Sequence, residues 1–219
     1  EELEETGASA LVAAPAELLP LFERGLLNVD ALTRAFTSRG FAFSYFSTAK
    51  EAARYIVSAC AGKSVALGGS MTFKEMGFPE AFAASTEVHW HWVTKDEYYQ
   101  TPDIYLTSAN ALSESGEAVN IDGTCNRVAG TLYGPKQCMF VCGINKLCPD
   151  LASAVDRARN VAAPKNAQRL GARTPCAADG KCHDCKSPAR ICRALVVHMG
   201  APKGFEKCEI VLVGESLGY

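Results

Sequence analysis

The pattern between residues 41 and 68 constrains the fold more than any other feature of the sequence. Phe41 to Phe46 is rich in aromatic residues and predicts a strand. Thr48 and Glu51 then have the spacing of a helix N-cap and its capping-box partner, ahead of an apolar helix from Ala52 to Cys60. Ser64 to Gly68 is short and apolar, as a buried strand is. Such strand–helix–strand units build parallel sheets with helices on both faces, so we expect an α/β fold.

Similar patterns predict further elements along the chain. Helices are expected within the first 40 residues, at Glu75 to Ala83 and at Pro149 to Val161. Strands are expected at Val88 to Val93, Ile104 to Leu106, Ala118 to Gly123 and Gln137 to Gly143, with Leu195 to Met199 and Glu209 to Val213 as a closing pair. We therefore divide the chain into an N-terminal helical segment (1–40), an α/β core (41–163), a cysteine-rich loop (164–193) and C-terminal strands that complete the core (194–219).

Charge and hydropathy exclude two classes of partner. The net charge is −2 and the sequence pI is about 6.1, so the chain lacks the basic field with which proteins attract nucleic acid. No apolar run approaches the roughly 20 residues of a membrane helix. The start Glu1-Glu2-Leu3-Glu4-Glu5 is acidic, the reverse of a secretory signal, so we expect a cytoplasmic protein.

Four of the ten cysteines crowd into one segment, with the spacing Cys176-x5-Cys182-x2-Cys185-x6-Cys192. Thiolates are soft ligands that bind zinc or the iron of iron–sulfur clusters. Structural zinc sites more often join two Cys-x-x-Cys pairs, whereas only Cys182 and Cys185 form such a pair, so a [4Fe–4S] cluster is favoured over zinc. Disulfides or unligated thiols are the remaining alternative.

Other residues of this segment carry secondary expectations. His183 could replace one thiolate, although four sulfurs already complete a set. Lys181, Lys186, Arg190 and Arg193 stand between and beside the cysteines. They would offset the negative charge of a cluster, or they are ordinary solvated loop charges.

A glycine-rich turn follows the strand predicted at residues 64–68. The backbone N–H groups of Gly68, Gly69 and Ser70 could receive an anion such as phosphate or carboxylate, with Thr72 in the helical turn beyond them. Ligands of open α/β sheets collect at the carboxyl ends of strands, where this turn lies. The two glycines could also serve only to make the turn.

Polar residues follow two other predicted strands. Asn110 and Glu114 come after the strand at 104–106, while Asp122, Asn126 and Arg127 surround the turn after the strand at 118–123. If the two segments converge, carboxylates beside an arginine make an acid/base and anion-binding set. We predict proton transfer by Glu114 or Asp122, anion binding by Arg127 and ligand contacts by Asn110 and Asn126. Asp122-Gly123 is also by composition a tight turn.

Two histidines could in principle form a second metal site. His89 and His91 would share one face of the strand predicted at 88–93. With no further histidine nearby in the sequence, a half-buried strand is favoured over a pair of ligands.

Five segments between residues 68 and 167 form a pattern more specific than any single motif. They are Gly68-Gly-Ser-Met-Thr-Phe-Lys-Glu-Met-Gly, Thr107-Ser-Ala-Asn-Ala-Leu-Ser-Glu-Ser-Gly-Glu-Ala-Val-Asn-Ile-Asp-Gly, Asn126-Arg-Val-Ala, Gly143-Ile-Asn-Lys and Ala162-Ala-Pro-Lys-Asn-Ala. Together they resemble the lactate-utilisation (LUD) domain family, which includes lactate-utilisation protein C. The four-cysteine block looks like a feature of stand-alone members from anaerobic bacteria. One position departs from the family pattern, because Cys125 stands where a second small residue is expected before Asn126.

The resemblance implies an open, mostly parallel sheet with flanking helices. This fold is similar to that of ribose-5-phosphate isomerases, glucosamine-6-phosphate deaminases and coenzyme A transferases. Those proteins catalyse different reactions on one scaffold, so the fold does not transfer a function. The lactate pathway of the family is oxidative, which agrees with an iron–sulfur cluster at the four cysteines.

Three functions fit the sequence. The first is a redox-associated role in lactate or other 2-hydroxy-acid oxidation, with a cluster and a small anionic metabolite bound. The second is a non-redox enzyme for a phosphorylated or CoA-linked small molecule, with structural zinc, and the third is a binding or assembly subunit without turnover. No Gly-x-Gly-x-x-Gly dinucleotide fingerprint is present, so hydride transfer would need a redox partner protein.

Overall fold

A computed structural model describes residues 27–78, 80–82, 86–94 and 101–219 of the protein. Within these ranges the chain forms a six-stranded sheet, a four-stranded sheet and the helices that pack on them. The helix predicted between residue 16 and residue 25 lies outside the described residues. No helix of the described ranges is long and apolar enough to cross a membrane.

The strands of these ranges have the following bounds: β1 (Ala42–Phe46), β2 (Ser64–Leu67), β3 (Glu87–Trp90), β4 (Ile104–Thr107), β5 (Ala111–Ser113), β6 (Ala118–Asp122), β7 (Gln137–Gly143), β8 (Leu147–Cys148), β9 (Ala194–His198) and β10 (Lys207–Val213). The α-helices are α1 (Val29–Ser38), α2 (Ala49–Cys60), α3 (Met71–Glu75), α4 (His91–Thr94), α5 (Asn126–Leu132), α6 (Leu151–Arg157), α7 (Ala163–Arg169) and α8 (Pro175–Asp179). A 3-10 turn occupies Ile144–Lys146, and a π-helical turn at Ala158–Ala162 joins α6 to α7.

The larger sheet carries the core of the molecule. Its strand order is β1-β10-β7-β4-β2-β3, and every pair of neighbours is parallel. Alternate residues of its central strands enter opposite cores: Ile210 and Leu212 of β10 face one, and Val211 and Val213 face the other. Because both faces are buried, these strands are continuous apolar runs, as in other parallel sheets. The protein is therefore an α/β protein with an open, mostly parallel sheet, as predicted.

The strand–helix–strand unit forms as the sequence predicts. The Thr48 side chain accepts a hydrogen bond from the N–H of Glu51 at 3.2 Å, and the Glu51 carboxylate accepts one from the N–H of Thr48 at 3.1 Å. This capping box begins α2, which buries Ala52, Ile56 and Cys60 against the sheet.

The four-stranded sheet was not predicted. Its order is β8-β5-β6-β9, and its small apolar residues pack on α6. The prediction that residues 195–199 and 209–213 form a closing strand pair is wrong, because β9 pairs with β6 in this sheet while β10 lies between β1 and β7 in the other. Both runs are apolar, and the partner of such a run is set by tertiary packing.

Several other predicted elements have different bounds in the structure. The helix predicted from Glu75 instead ends there, since Ser70 caps α3 and Gly77 adopts φ +75° just beyond its end. The strand predicted at Val88 to Val93 stops at Trp90, and α4 follows. The segment predicted as an irregular loop from Pro164 contains α7 and α8, and Pro164 falls in the first turn of α7, where a missing N–H interrupts least.

Candidate functional site

A cleft of about 510 Å³ opens at the carboxyl ends of β2, β4 and β7, beside the end of β6. Six residues predicted from the sequence line it: Gly69, Ser70, Asn110, Asp122, Asn126 and Arg127. Gly68 and Thr72 lie next to these residues in the same turn and helix. The cleft therefore gathers segments that are far apart in the sequence, at the edge of the sheet where α/β proteins bind ligands.

Arg127 is held by the protein on several sides. Its guanidinium donates hydrogen bonds to the backbone oxygens of Ser108 and Ile121, both at 2.9 Å, and to the side-chain oxygens of Asn120 at 2.6 Å and Asn110 at 3.4 Å. These contacts tie the ends of β4 and β6 together. The predicted role of Arg127 in binding an anion stays a prediction, and the contacts suit a residue that positions the cleft.

Asp122 ends β6 and lies beside Arg127, at the turn that leads into α5. Its carboxylate accepts hydrogen bonds from the N–H groups of Gly123, Cys125 and Val128 at 2.7 to 3.2 Å, and one oxygen is 3.7 Å from Nε of Arg127. The residue thus makes the tight turn that its sequence Asp-Gly indicates. Cys125, where the chain departs from the family pattern, has φ +68°, a left-handed conformation that favours glycine.

Glu114 lies apart from the other predicted catalytic residues. Its N–H donates to the backbone oxygen of Cys148 at 2.8 Å, its side chain is exposed, and it is absent from the lining of the cleft. The structure therefore brings Asp122 and Arg127 together but not Glu114. Proton transfer by Glu114 or Asp122 stays a prediction.

Neighbouring side chains leave no room for a Cβ atom at either glycine of the predicted anion-binding turn. A Cβ atom on Gly68 would overlap the hydroxyl group of Tyr105 and lie 3.0 Å from Cγ of Arg127. A Cβ atom on Gly69 would overlap the indole of Trp92, at 2.8 Å from Cε2. Trp92 faces the cleft because α4 turns the chain after β3, and the Arg169 guanidinium lies 5.1 Å from its ring centroid.

His89 and His91, which were predicted to share one face of a strand, have different partners in the structure. His89 lies on β3 with Nε2 3.1 Å from a Glu87 oxygen, whereas His91 begins α4. The Nε2 atom of His91 lies 2.8 Å from Nδ2 of Asn126, and His91 lines the cleft. Asn126 is thus held in place by a residue of another element.

Sequence reasoning assigned no role to Lys146, the last residue of the Gly143-Ile-Asn-Lys segment, which forms the floor of the cleft. The side chain is 3% exposed, and its Nζ atom donates hydrogen bonds to Oγ1 of Thr72 at 2.9 Å and Oγ of Ser108 at 2.8 Å. Burial lowers the pKa of this ammonium from the ordinary 10.5 to about 8. Among its charged neighbours, Arg157 and Arg127 lower this pKa further, while Cys142 and Glu75 raise it. The signal in the sequence was a lysine three residues beyond an apolar central strand, where α/β sheets place ligand-binding groups.

The four clustered cysteines line a second cavity, of about 310 Å³. Cys176 is buried on α8, and Cys182, Cys185 and Cys192 are half-buried in the segment that follows. Partial burial raises the pKa of the Cys192 thiol, and the thiols of the other three cysteines raise it further. We call this cavity the thiol pocket. The four cysteines that the sequence grouped thus line one cavity, and their role as metal ligands stays a prediction.

Arg190 organises the loop that carries the thiols. Its guanidinium donates to the backbone oxygens of Cys185 at 2.6 Å and Cys192 at 2.8 Å, and to the Asp184 carboxylate at 3.0 Å. His183 lines the pocket, but its Nε2 atom lies 2.7 Å from an oxygen of Asp179. The loop is thus shaped by hydrogen bonds to its own backbone, and His183 has a partner other than a metal.

The donor set of the thiol pocket suits a thiolate-ligated group. All ten cysteines, every one within the described ranges, are free thiols, and four soft donors surround one cavity beside Arg159, Arg190 and Arg193. In the part of the chain that the structure describes, no three His, Cys, Asp or Glu side chains are close enough to hold an ion as they stand. Ligation of a metal would therefore draw the thiol-bearing segments together.

The cleft and the thiol pocket share a wall. The residues that line both cavities are Ile121, Ala163, Arg190, Ile191 and Arg193. They come from the end of β6, the start of α7 and the loop before β9. A ligand in the cleft and a group held by the thiols would be separated only by these side chains.

Comparisons with known proteins agree with this architecture. The family model described as LUD domain matches residues 29–213, and no curated protein matches the chain. A DUF162 family protein from Deinococcus radiodurans, known from its crystal structure, is 15% identical with a TM-score of 0.51, over 93% of this chain and 100% of that one. At this identity the likeness shows the fold alone. eIF2B beta from Chaetomium thermophilum is 17% identical over 56% of this chain and 43% of that one, and its TM-score of 0.32 is too low to inform the fold.

Proposed function

The chain belongs to the LUD domain family, and we propose that it serves the oxidation of lactate or another 2-hydroxy acid. In this proposal the strand-end cleft holds a small anionic metabolite, and the thiol pocket holds a [4Fe–4S] cluster. The observation that carries the proposal is the wall shared by the two cavities. It gives one chain a place for a redox group beside a place for a ligand.

The four cysteines would hold the cluster. A bound [4Fe–4S] cluster accepts or donates one electron at a time, at a potential set by its surroundings. Cys176 on α8 and Cys192 near β9 would fix the loop at its two ends, while Arg190 orients the peptide groups of Cys185 and Cys192. The guanidinium groups of Arg159, Arg190 and Arg193 would offset the negative charge of the thiolates.

The rest of the reaction needs a partner. Oxidation of a 2-hydroxy acid to a 2-oxo acid releases two electrons and two protons, and this sequence has no dinucleotide fingerprint. We therefore propose a partner protein with a flavin, which takes the hydride and passes its two electrons one at a time to this chain, while the hydroxyl proton goes to solvent. The chain's own contribution is to bind the acid and to hold the electron carrier next to it.

The experiment is anaerobic purification followed by iron, sulfide and zinc analysis with a visible spectrum. We expect about four irons and about four sulfides with a broad visible absorbance that dithionite bleaches. The double variant Cys182→Ser, Cys185→Ser should lose both the iron and the colour. Cys60→Ala is the matched control, because Cys60 is buried in α2 and lines neither cavity.

Two results would count against the redox role. One zinc per chain without colour would make the four cysteines a structural site. Iron and colour that persist in the double variant would place the metal elsewhere.

A further inference from the structure

We infer that Lys146 is the residue that binds the carboxylate group of the ligand, with the hydroxyl of Ser108 beside it. The inference rests on the proposed function in one respect, the choice of a 2-hydroxy or 2-oxo acid as the ligand. Lys146 and Ser108 both line the cleft, whereas Thr72 lies outside the lining and accepts a hydrogen bond from Lys146. Lys146 and Ser108 therefore form a site at the floor of the cleft, and the sequence analysis assigned no role to either residue.

Lys146 is a buried cation without an anionic partner among the described residues. None of the ion pairs among the described residues includes Lys146. The nearby Glu75 carboxylate accepts a hydrogen bond from the N–H of Gly218. An ammonium has three N–H donors, and the described residues provide acceptors, both hydroxyl oxygens, for two of them. Because an unpaired buried charge is costly, a ligand that brings a negative charge would stabilise this arrangement.

The arginines of the cleft, unlike Lys146, are either hydrogen-bonded on several sides or exposed to solvent. Arg127 donates to the oxygens described above, and Arg169 donates to Oδ1 of Asn166. Arg190 and Arg193 donate to oxygens of the cysteine loop. Of the five Lys and Arg residues in the lining, Lys146 alone is buried.

The hydroxyl groups of Ser108 and Thr72 also carry hydrogens that need acceptors. Because Lys146 donates to Ser108 and Thr72, each hydroxyl must point its own hydrogen elsewhere. Their acceptors within the protein are distant. The Ser108 oxygen lies 3.3 Å from Ala109 O, 3.3 Å from the Thr72 oxygen and 3.7 Å from the Cys142 sulfur, and the Thr72 oxygen lies 3.4 Å from Leu217 O. A ligand oxygen at normal hydrogen-bond length would be a better acceptor for Ser108.

The arrangement selects a carboxylate over a phosphate. One ammonium and one adjacent hydroxyl supply a single positive charge and two donors, which match the one charge and two oxygens of a carboxylate. A phosphate dianion would bring a second charge and a third oxygen, for which Lys146 and Ser108 have no further donor. We therefore expect a small monocarboxylate.

The test is calorimetric titration with L-lactate, pyruvate, inorganic phosphate and lactamide, the uncharged analogue of lactate. We expect lactate or pyruvate to bind, and lactamide and phosphate to bind at least tenfold more weakly. Lys146→Met should weaken carboxylate binding at least about 30-fold, as expected when one partner of a buried charged pair is removed. Lys74→Met is the matched control, because Lys74 lies on α3 but is exposed and does not line the cleft.

Four outcomes would overturn the inference: carboxylate binding in Lys146→Met at the wild-type affinity, equal affinities for lactate and lactamide, a preference for phosphate, or no binding of lactate or pyruvate to the wild-type protein. If Lys146→Met fails to fold, Ser108→Ala is the test, because it leaves the charge of Lys146 in place. That variant should lose about fivefold in lactate affinity and nothing in lactamide affinity, and an unchanged lactate affinity would overturn the inference.

The same titration repeated on Cys182→Ser, Cys185→Ser separates this inference from the proposed function. Carboxylate binding that persists in this variant would support the inference independently of the cluster, whereas carboxylate binding to a wild-type protein that purifies without iron would support the inference and count against the redox role. A wild-type protein that carries a cluster but binds no carboxylate would support the cluster and refute the inference.

Discussion

The Nζ atom of Lys146 lies 2.8 Å from the Oγ atom of Ser108, although 38 positions separate the two residues in the sequence. Ser108 follows β4 and Lys146 follows β7, and these strands are neighbours in the larger sheet. Parallel strands bring the residues after them to one edge, so two ordinary residues become a buried pair at the floor of a cleft. The predictions below test this pair and the structures around it.

The first prediction is that pH changes the stability and the ligand affinity of the protein in opposite directions. Burial lowers the pKa of Lys146 from 10.5 to about 8, with Arg157, Arg127, Cys142 and Glu75 as its charged or titratable neighbours. Between these values the unfolded chain binds the proton that the folded chain has lost, so the contribution of Lys146 to stability rises with pH. Carboxylate affinity should fall over the same range, because the ammonium becomes neutral.

Urea denaturation and calorimetry at several pH values between 7 and 10 would measure both effects. In Lys146→Met the pH-dependent gain of stability should be absent, and the variant without ligand should be more stable than the wild type at pH 7 by about 1 to 3 kcal/mol. A variant that is clearly less stable than the wild type would contradict this prediction.

The second prediction concerns Gly69 and the indole of Trp92. Gly69→Ala should displace the indole, because the new Cβ atom would lie 2.8 Å from Cε2. We expect a loss of about 1 to 3 kcal/mol in stability, as in other overpacked sites, and a weaker affinity for carboxylate. Tryptophan fluorescence reports the movement, since Trp90 and Trp92 stack with centroids 5.4 Å apart and are the two tryptophans of the chain. Gly204→Ala is the control, because its Cβ atom would make ordinary contacts with Tyr133.

The third prediction concerns Arg190 and the retention of metal. Arg190→Ala removes the hydrogen bonds to the backbone oxygens of Cys185 and Cys192 and should lower the iron content of anaerobically purified protein several-fold. Loss of a group that holds metal ligands in position typically changes metal affinity by about 10- to 100-fold. Arg173→Ala, which removes an exposed arginine outside the thiol pocket, should retain its iron. Equal iron contents in the two variants would show that Arg190 does not organise the site.

The fourth prediction concerns the left-handed backbone at Cys125. Glycine adopts φ +68° without the clash that a Cβ atom causes, so Cys125→Gly should stabilise the protein by up to about 1 kcal/mol. Cys125→Ala removes the thiol and keeps the Cβ atom, and it should give no such gain. Urea denaturation of the two variants separates the effect of the backbone from that of the thiol. A larger gain for alanine than for glycine would show that the backbone conformation is not the cause.

The sequence was informative where a signal is local. Thr48 and Glu51 predicted the start of α2, because a capping box needs only residues three positions apart. Gln137 to Gly143 predicted β7 at its observed bounds, since a central parallel strand is apolar along its whole length. The spacing of Cys176, Cys182, Cys185 and Cys192 predicted a set of metal ligands; the four residues line one pocket, and their ligand role stays a prediction.

Features that depend on long-range packing were missed. Lys146 follows an apolar strand and looks like a surface lysine, but a 3-10 turn and the segment around Gly218 bury it against Thr72. The four-stranded sheet was missed because β9 pairs with β6, more than 70 residues earlier in the chain. Glu114 and Asp122 both follow strands, and only the tertiary structure shows that Asp122 reaches the cleft while Glu114 does not.

The wall shared by the cleft and the thiol pocket has a thermodynamic consequence. Ile121, Ala163, Arg190, Ile191 and Arg193 contact both spaces, so any shift of this wall when one space is filled changes the other. The coupling free energy between two binding events is the same in either direction. If loading the thiols raises carboxylate affinity by some factor, carboxylate must raise metal affinity by that same factor. The amount of metabolite in the cell would then help to set how much of the protein carries its metal.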